Sequence, residues 1–265
     1  MDTPLSPVDL DSLRNARELL ENPGLAARMT NLIGAPVELG LKWLPEGWRS
    51  KISDITQAAL RKATDAAIVT LDDRPGEGSS NHWHKLGAAV SGGVGGFFGL
   101  AGLAVELPIS TTLMMRSIAD IARSEGESLG HPDARRACLE VFALGGKTKT
   151  DDATDSGYYA IRVALAQSVA QATEYLGTHV VVEKGTGPAL VRLITVVADR
   201  FGVQVTEKAA AQAIPALGAA GGAVINTLFI GHFQSMARGH FTVRRLERKY
   251  GAEAVRAAYM ALGEV

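Results

Sequence analysis

The chain has 265 residues, with 27 Lys and Arg against 28 Asp and Glu, and is 46% hydrophobic and 21% charged. Near-neutral charge excludes a globally basic nucleic-acid binder, and the ratio of apolar to charged residues belongs to a folded chain. The single cysteine, Cys138, excludes an internal disulfide and the usual multi-thiolate zinc sites, while 29 glycines and only 6% aromatics call for a core of small side chains.

The opening MDTPLSPVDLDSL is acidic and polar, without the basic-then-apolar pattern of a secretory signal. Asp2 stands where myristoylation requires glycine. The expectation is a cytoplasmic chain. Ser6-Pro7-Val8-Asp9 reads as a helix start: a capping hydroxyl, a proline at the first helical position, and an acid beside the positive helix end. Pro23-Gly24 interrupts that helix. Ile52, Ile55, Ala59, Ala63, Ala66 and Val69 then keep the three/four spacing of a long helix from about Ser50 to Leu71. Asp72 to Asn81, DDRPGEGSSN, is the best linker in the chain, which divides it into an N-terminal helical region at 1–72 and a helical core at 82–265.

From Leu86 to Val105 run 20 residues without a formal charge, including Phe97 and Phe98. Gly92, Gly95, Gly96 and Gly99 recur here at spacing four, as do Gly218 and Gly222 further on. On a helix such spacing makes a groove in which two backbones approach closely, the small-xxx-small mode common in membranes. Glu106 closes the first run as its one candidate functional acid. Pro108 is expected to open the next helix, with Met114, Ile118, Ile121 and Ala122 inward and Arg116, Asp120, Arg123 and Glu127 forming an exposed ion ladder.

His131-Pro132-Asp133 opens a further helix that should end at Gly145-Gly146. A long helix follows over Ile161 to Val182, and another over Ala189 to Phe201. Thr206 is placed as the cap of a second uncharged run, Ala209 to Ala237, which is 29 residues long with Pro215 and Asn226 inside it. Phe229, Phe233, Met236, His240 and Val243 make an apolar stripe leading into a basic cluster of Arg238, Arg244, Arg245, Arg248 and Lys249. Positive charge beside an apolar segment favours an anionic leaflet. The cluster and the four phenylalanines Phe97, Phe98, Phe229 and Phe233 are therefore the candidate membrane-binding residues. Without sustained period-two alternation, the fold class is all-α: a multi-helix bundle with the two Gly/Ala-rich segments packed centrally.

Chemical motifs are sparse. Gly145-Gly146-Lys147-Thr148 lacks the first glycine of a phosphate loop, since Val141 stands in its place. DDATDSG at 151–157 fails as a calcium loop at its third and twelfth ligand positions. His82 and His84 make an incomplete metal site, and Cys138 sits among apolar neighbours as an inert thiol. No metal and no cofactor is expected.

Two blocks resemble the EcsC family. The first holds Glu106-Leu107-Pro108, then Arg116, Ile118, Ile121 and Ala122 on the following helix, Gly126 at its stop, and Pro132 and Arg135 opening the next. Glu106 takes a place where aspartate is common, and Glu125 one where an aromatic is often found. The second holds Ile214, Pro215, Gly218, Gly222 and Asn226. The resemblance spans roughly residues 40 to 250 and implies a helical bacterial protein associated with a transporter system, with no agreed catalytic residues to carry over. The leading expectation is a non-enzymatic protein, peripheral at the inner membrane, whose partners are membrane lipid or an apolar ligand and a membrane transporter component. The alternatives are a hydrolase-like enzyme pairing Glu106 with His82, His84 or His179, and a soluble scaffold for a membrane protein.

Overall fold

The computed structural model describes residues 4–21, 24–34, 36–42, 44, 46–70, 99–145, 157–177, 188–214 and 218–263. Among the described residues there are ten α-helices and no strand. They are α1 (Pro7–Glu21), α2 (Leu25–Ile33), α3 (Val37–Leu41), α4 (Trp48–Thr70), α5 (Gly99–Ser124), α6 (Pro132–Glu140), α7 (Gly157–Gly177), α8 (Pro188–Gln212), α9 (Gly218–Tyr250) and α10 (Ala252–Ala261). A 3₁₀ turn, Val141–Ala143, follows α6. The all-α bundle expected from the periodicity is the fold.

The start of α1 is the expected one: Ser6 Oγ accepts from the Asp9 amide at 3.2 Å and donates to the Asp9 carboxylate at 2.8 Å. Other boundaries differ. Pro108 opens nothing; α5 begins at Gly99 and runs through it. A mid-helix proline removes one hydrogen bond, to the carbonyl four residues back. That residue, Ala104, is exposed, so water can serve the freed carbonyl. Thr206 is not a cap either. Its hydroxyl donates to the Gly202 carbonyl at 2.7 Å inside the continuous α8. The run Ala209 to Ala237 is thus split: its residues up to Gln212 finish α8 and those from Gly218 onward belong to α9.

The long helices α5 and α9 run parallel, side by side. Their contacts climb in step: Gln234 donates to Ser117 at 2.8 Å, and ten residues further along both segments Arg244 donates to Glu127 at 2.8 Å. α4 lies along α5, α8 returns against α9, and α1 crosses α9 at Gly239. α2 and α3 close one flank of α8. Leu13, Leu20 and Met29 from the N-terminal helices share one apolar core with Ile118, Val197 and Phe233.

Inside it, Phe142, Phe201, Phe229 and Phe233 join the 3₁₀ turn, α8 and α9 with ring centroids 4.9–5.9 Å apart. Aromatic pairs at such separations favour edge-to-face and offset geometries, and each buried ring contributes about 1.5–3 kcal/mol of transfer free energy. The expected inner face of α5, Met114, Ile118, Ile121 and Ala122, is buried.

Candidate functional site

A charged centre lies in the middle of this apolar packing. Lys208 falls on the inward register of α8, seven residues after Phe201, and its side chain is fully buried. A buried ammonium is tolerated only when paired and hydrogen-bonded. Lys208 Nζ donates to both carboxylate oxygens of Glu106, at 2.8 and 2.7 Å, and to Asn226 Oδ1 at 2.8 Å. Its three donors are therefore all used. The Phe229 ring lies 4.7 Å from the same nitrogen and adds a cation–π contact. Glu106 comes from α5, Lys208 from α8, and Asn226 and Phe229 from α9, so one charge pair ties three helices.

This arrangement sets what Glu106 can do. Both of its oxygens accept from a buried cation, which makes it the counter-ion of Lys208. A general acid or base needs a free position facing substrate. His82, His84 and His179, the histidines considered as its partners, lie outside the described residues. Lys208 was the residue sequence reasoning missed. The available signal was a lysine on the core register of a helix, opposite a lone acid that closes an uncharged run.

A second polar centre occupies the far ends of α5 and α9. Arg244 binds Glu127 at 2.8 Å and Asp133 at 2.7 Å. Arg245 binds Glu125 at 2.7 Å, and Arg248 binds Glu127. Lys249 binds Asp9 at 2.7 Å, and Arg162 grips Glu247 with two bonds of 2.6 and 3.0 Å. Hydrogen bonds from Lys249, Tyr250 and Ser6 hold the Asp9 carboxyl well below the usual carboxylate range. Arg244, Arg245, Arg248 and Lys249, four members of the basic cluster expected to face anionic lipid, are thus matched with acids of the protein itself. The ladder on α5 differs for the same reason. Asp120 and Glu127 are buried, and Glu127 turns toward α9.

The apolar stripe on α9 also faces inward. Phe229, Phe233, Met236, His240 and Val243 are all buried, so the two phenylalanines expected at a membrane pack the core instead. The spacing that suggested an apolar surface is the spacing of a helix lying on its neighbours. Arg238 is half-buried. Of the packing glycines, Gly99 opens α5, Gly218 opens α9 and Gly222 is buried. Gly92, Gly95, Gly96, Phe97 and Phe98 lie outside the described residues.

Two histidines of α9 are held neutral. Burial lowers the His232 pKa to about 4, helped by the charge of Arg28, and neither of its ring nitrogens has a hydrogen-bond partner. His240 Nδ1 lies 2.9 Å from the Tyr158 hydroxyl, and burial pushes its pKa well down. Burial also pushes the Cys138 thiol up to about 12, which leaves it unreactive at neutral pH. No group of three or more potential metal ligands occurs among the described residues.

No curated protein and no solved structure matches the chain. A family model for the EcsC protein family matches residues 14–246, and the Glu106–Lys208–Asn226 centre falls inside that span: the chain belongs to the EcsC family.

Proposed function

We propose that this chain is a non-enzymatic helical protein that docks peripherally on membranes through the uncharged end formed by the first halves of α5 and α9. The observation that supports it is the neutralised Glu106–Lys208 pair. From Gly99 to Met115 on α5, Glu106 is the only formal charge, and from Gly218 to Ala237 on α9 there is none. With Glu106 turned inward onto Lys208, the outer faces there offer aliphatic side chains: Val105 is 68% exposed, Ile109 48% and Val224 44%. Phe97 and Phe98 belong to the same proposal because they precede Gly99 directly in the chain.

Magnitudes decide the depth of contact. Full burial of a side chain this size gives about 1.5–3 kcal/mol, so three half-exposed ones give on the order of 3 kcal/mol. That suits reversible association, comparable to or weaker than a single acyl anchor. No described helix is long and apolar enough to cross a membrane. The setting we propose is the cytoplasmic face of a bacterial inner membrane, beside a transporter component.

Vesicle flotation tests the reading. The wild type should float with phosphatidylcholine vesicles, and added anionic lipid should change little, since Arg244, Arg245 and Arg248 are already matched. The triple variant Val105→Asp/Ile109→Asp/Val224→Asp should stay at the bottom while keeping its helical content. A wild type that stays at the bottom with every vesicle composition removes the proposal.

A further inference from the structure

α5 is one helix in two parts, joined at Pro108. The proline supplies no amide to the Ala104 carbonyl, so the hydrogen-bond ladder of α5 lacks one rung there. Three hydroxyl residues follow closely. Ser110 donates to the Leu107 carbonyl at 3.2 Å and Thr112 to the Pro108 carbonyl at 2.8 Å, the back-bonding that favours bending of a helix. Between them Thr111 is fully buried, and its hydroxyl has no hydrogen-bond partner. A buried unpaired hydroxyl destabilises the closed packing around it. Ahead of the proline, Gly99 and Gly102 weaken residues 99–107 as a helix.

Three side chains hold this first part to the bundle. Leu103 and Leu107 are buried, and Glu106 is bound by Lys208. The attraction within a buried ion pair is offset by the desolvation of both charges, so parting the two into water costs less than parting a well-packed apolar pair of similar size. We infer that residues 99–107 form an arm that swings on Pro108, and that the Glu106–Lys208 pair is the latch that keeps it closed. The arm carries Val105 on its outer side and Leu103 and Leu107 beneath. Opening bares the two leucines beside Val105 and enlarges the apolar end. Hinge and latch stand whether or not that end meets lipid; only this use of them rests on the docking proposed above.

The test uses the full chain in buffer without vesicles, so a failure of docking does not touch it. Leu103→Cys places a thiol under the arm, and Met114→Cys places one at a buried position beyond the hinge. The buried Cys138 reports opening of the whole fold. With a colorimetric disulfide reagent, the thiol at 103 should react at least about tenfold faster than the one at 114. Adding Pro108→Ala, which restores the bond to Ala104, should bring the rate at 103 down to that at 114. Adding Glu106→Gln, which weakens the latch, should speed labelling at 103 and leave 114 and Cys138 unchanged. If Glu106→Gln loosens the whole fold instead, the Glu106→Leu/Lys208→Met background decides, because an apolar latch should slow labelling at 103. Equal rates at 103 and 114 overturn the inference. So does a rate at 103 that Pro108→Ala leaves unchanged, or one that the apolar pair fails to slow.

Discussion

Lys208 is the residue on which the centre of the bundle turns. Removing it leaves the Glu106 carboxylate buried without a partner, so Lys208→Met should cost about 3–5 kcal/mol, read as a lower urea midpoint. The double variant Glu106→Leu/Lys208→Met should recover most of that loss, because replacing both members of a buried pair by apolar groups is often close to neutral. If the double variant is as unstable as the single one, Lys208 has another role. The buried histidines give a second residue-scale outcome. His232 has a folded pKa near 4 against 6.5 for an ordinary histidine, so its neutral form is favoured in the fold. The stability tied to it is full above pH 6.5 and is lost as pH falls through about 4. His240 shifts in the same direction. His232→Leu should therefore move the acid-unfolding midpoint to lower pH, followed by circular dichroism. An unchanged midpoint would show that other groups govern acid unfolding. None of this pairing was legible in one dimension. Glu106 and Asn226 stood out because they interrupt uncharged runs, but Lys208 is separated from Glu106 by 102 positions, and only the meeting of α5, α8 and α9 joins them.

Among elements, glycine decides how closely helices pass. At Gly40 an added Cβ would sit 1.9 Å from the Ala210 carbonyl oxygen, and at Gly239 it would meet Leu20 and the Ala16 carbonyl at 2.6 and 2.9 Å. These are the close approaches of α3 to α8 and of α1 to α9. Gly40→Ala should force α3 off α8 and speed amide exchange over residues 37–41. Gly231→Ala, where nothing lies within 4 Å, should be neutral or stabilise by up to about 1 kcal/mol. Equal melting temperatures for the two variants would contradict the assignment. The idea that small residues let helices nestle was readable from composition. Which glycines do so was not, because close approach is a property of two elements and the spacing belongs to one. Helix existence followed from periodicity, and the start of α1 from its cap. The boundaries at Pro108 and Thr206 differ from expectation because both residues have local signatures that tertiary packing overrides: α5 continues where the residue with the freed carbonyl, Ala104, is exposed, and Thr206 satisfies itself within its own helix.

For the whole molecule, the distribution of charge separates two ends. At the ends of α5 and α9 near Glu127 and Arg244, five cations (Arg162, Arg244, Arg245, Arg248 and Lys249) meet five acids (Asp9, Glu125, Glu127, Asp133 and Glu247). Arg244→Glu/Arg245→Glu/Arg248→Glu should therefore lower the melting temperature steeply, because it sets new acids against Glu125 and Glu127. A lipid-facing patch would instead lose vesicle binding at unchanged stability. The sequence shows the density of arginine here but not the acids brought to it from α1, the turn after α5, and α6. At the opposite end, Glu106, the one formal charge of α5 there, is folded inward and α9 carries none, which leaves Val105, Ile109 and Val224 outside. The most direct measurement places an environment-sensitive dye at Ile109→Cys, with Cys138 buried and unreactive, and a control dye at Glu253→Cys, an exposed position of α10. With phosphatidylcholine vesicles, the dye at 109 should brighten and shift to the blue while the control stays unchanged. A dye at 109 that does not respond, or one that responds no more than the control, contradicts the account.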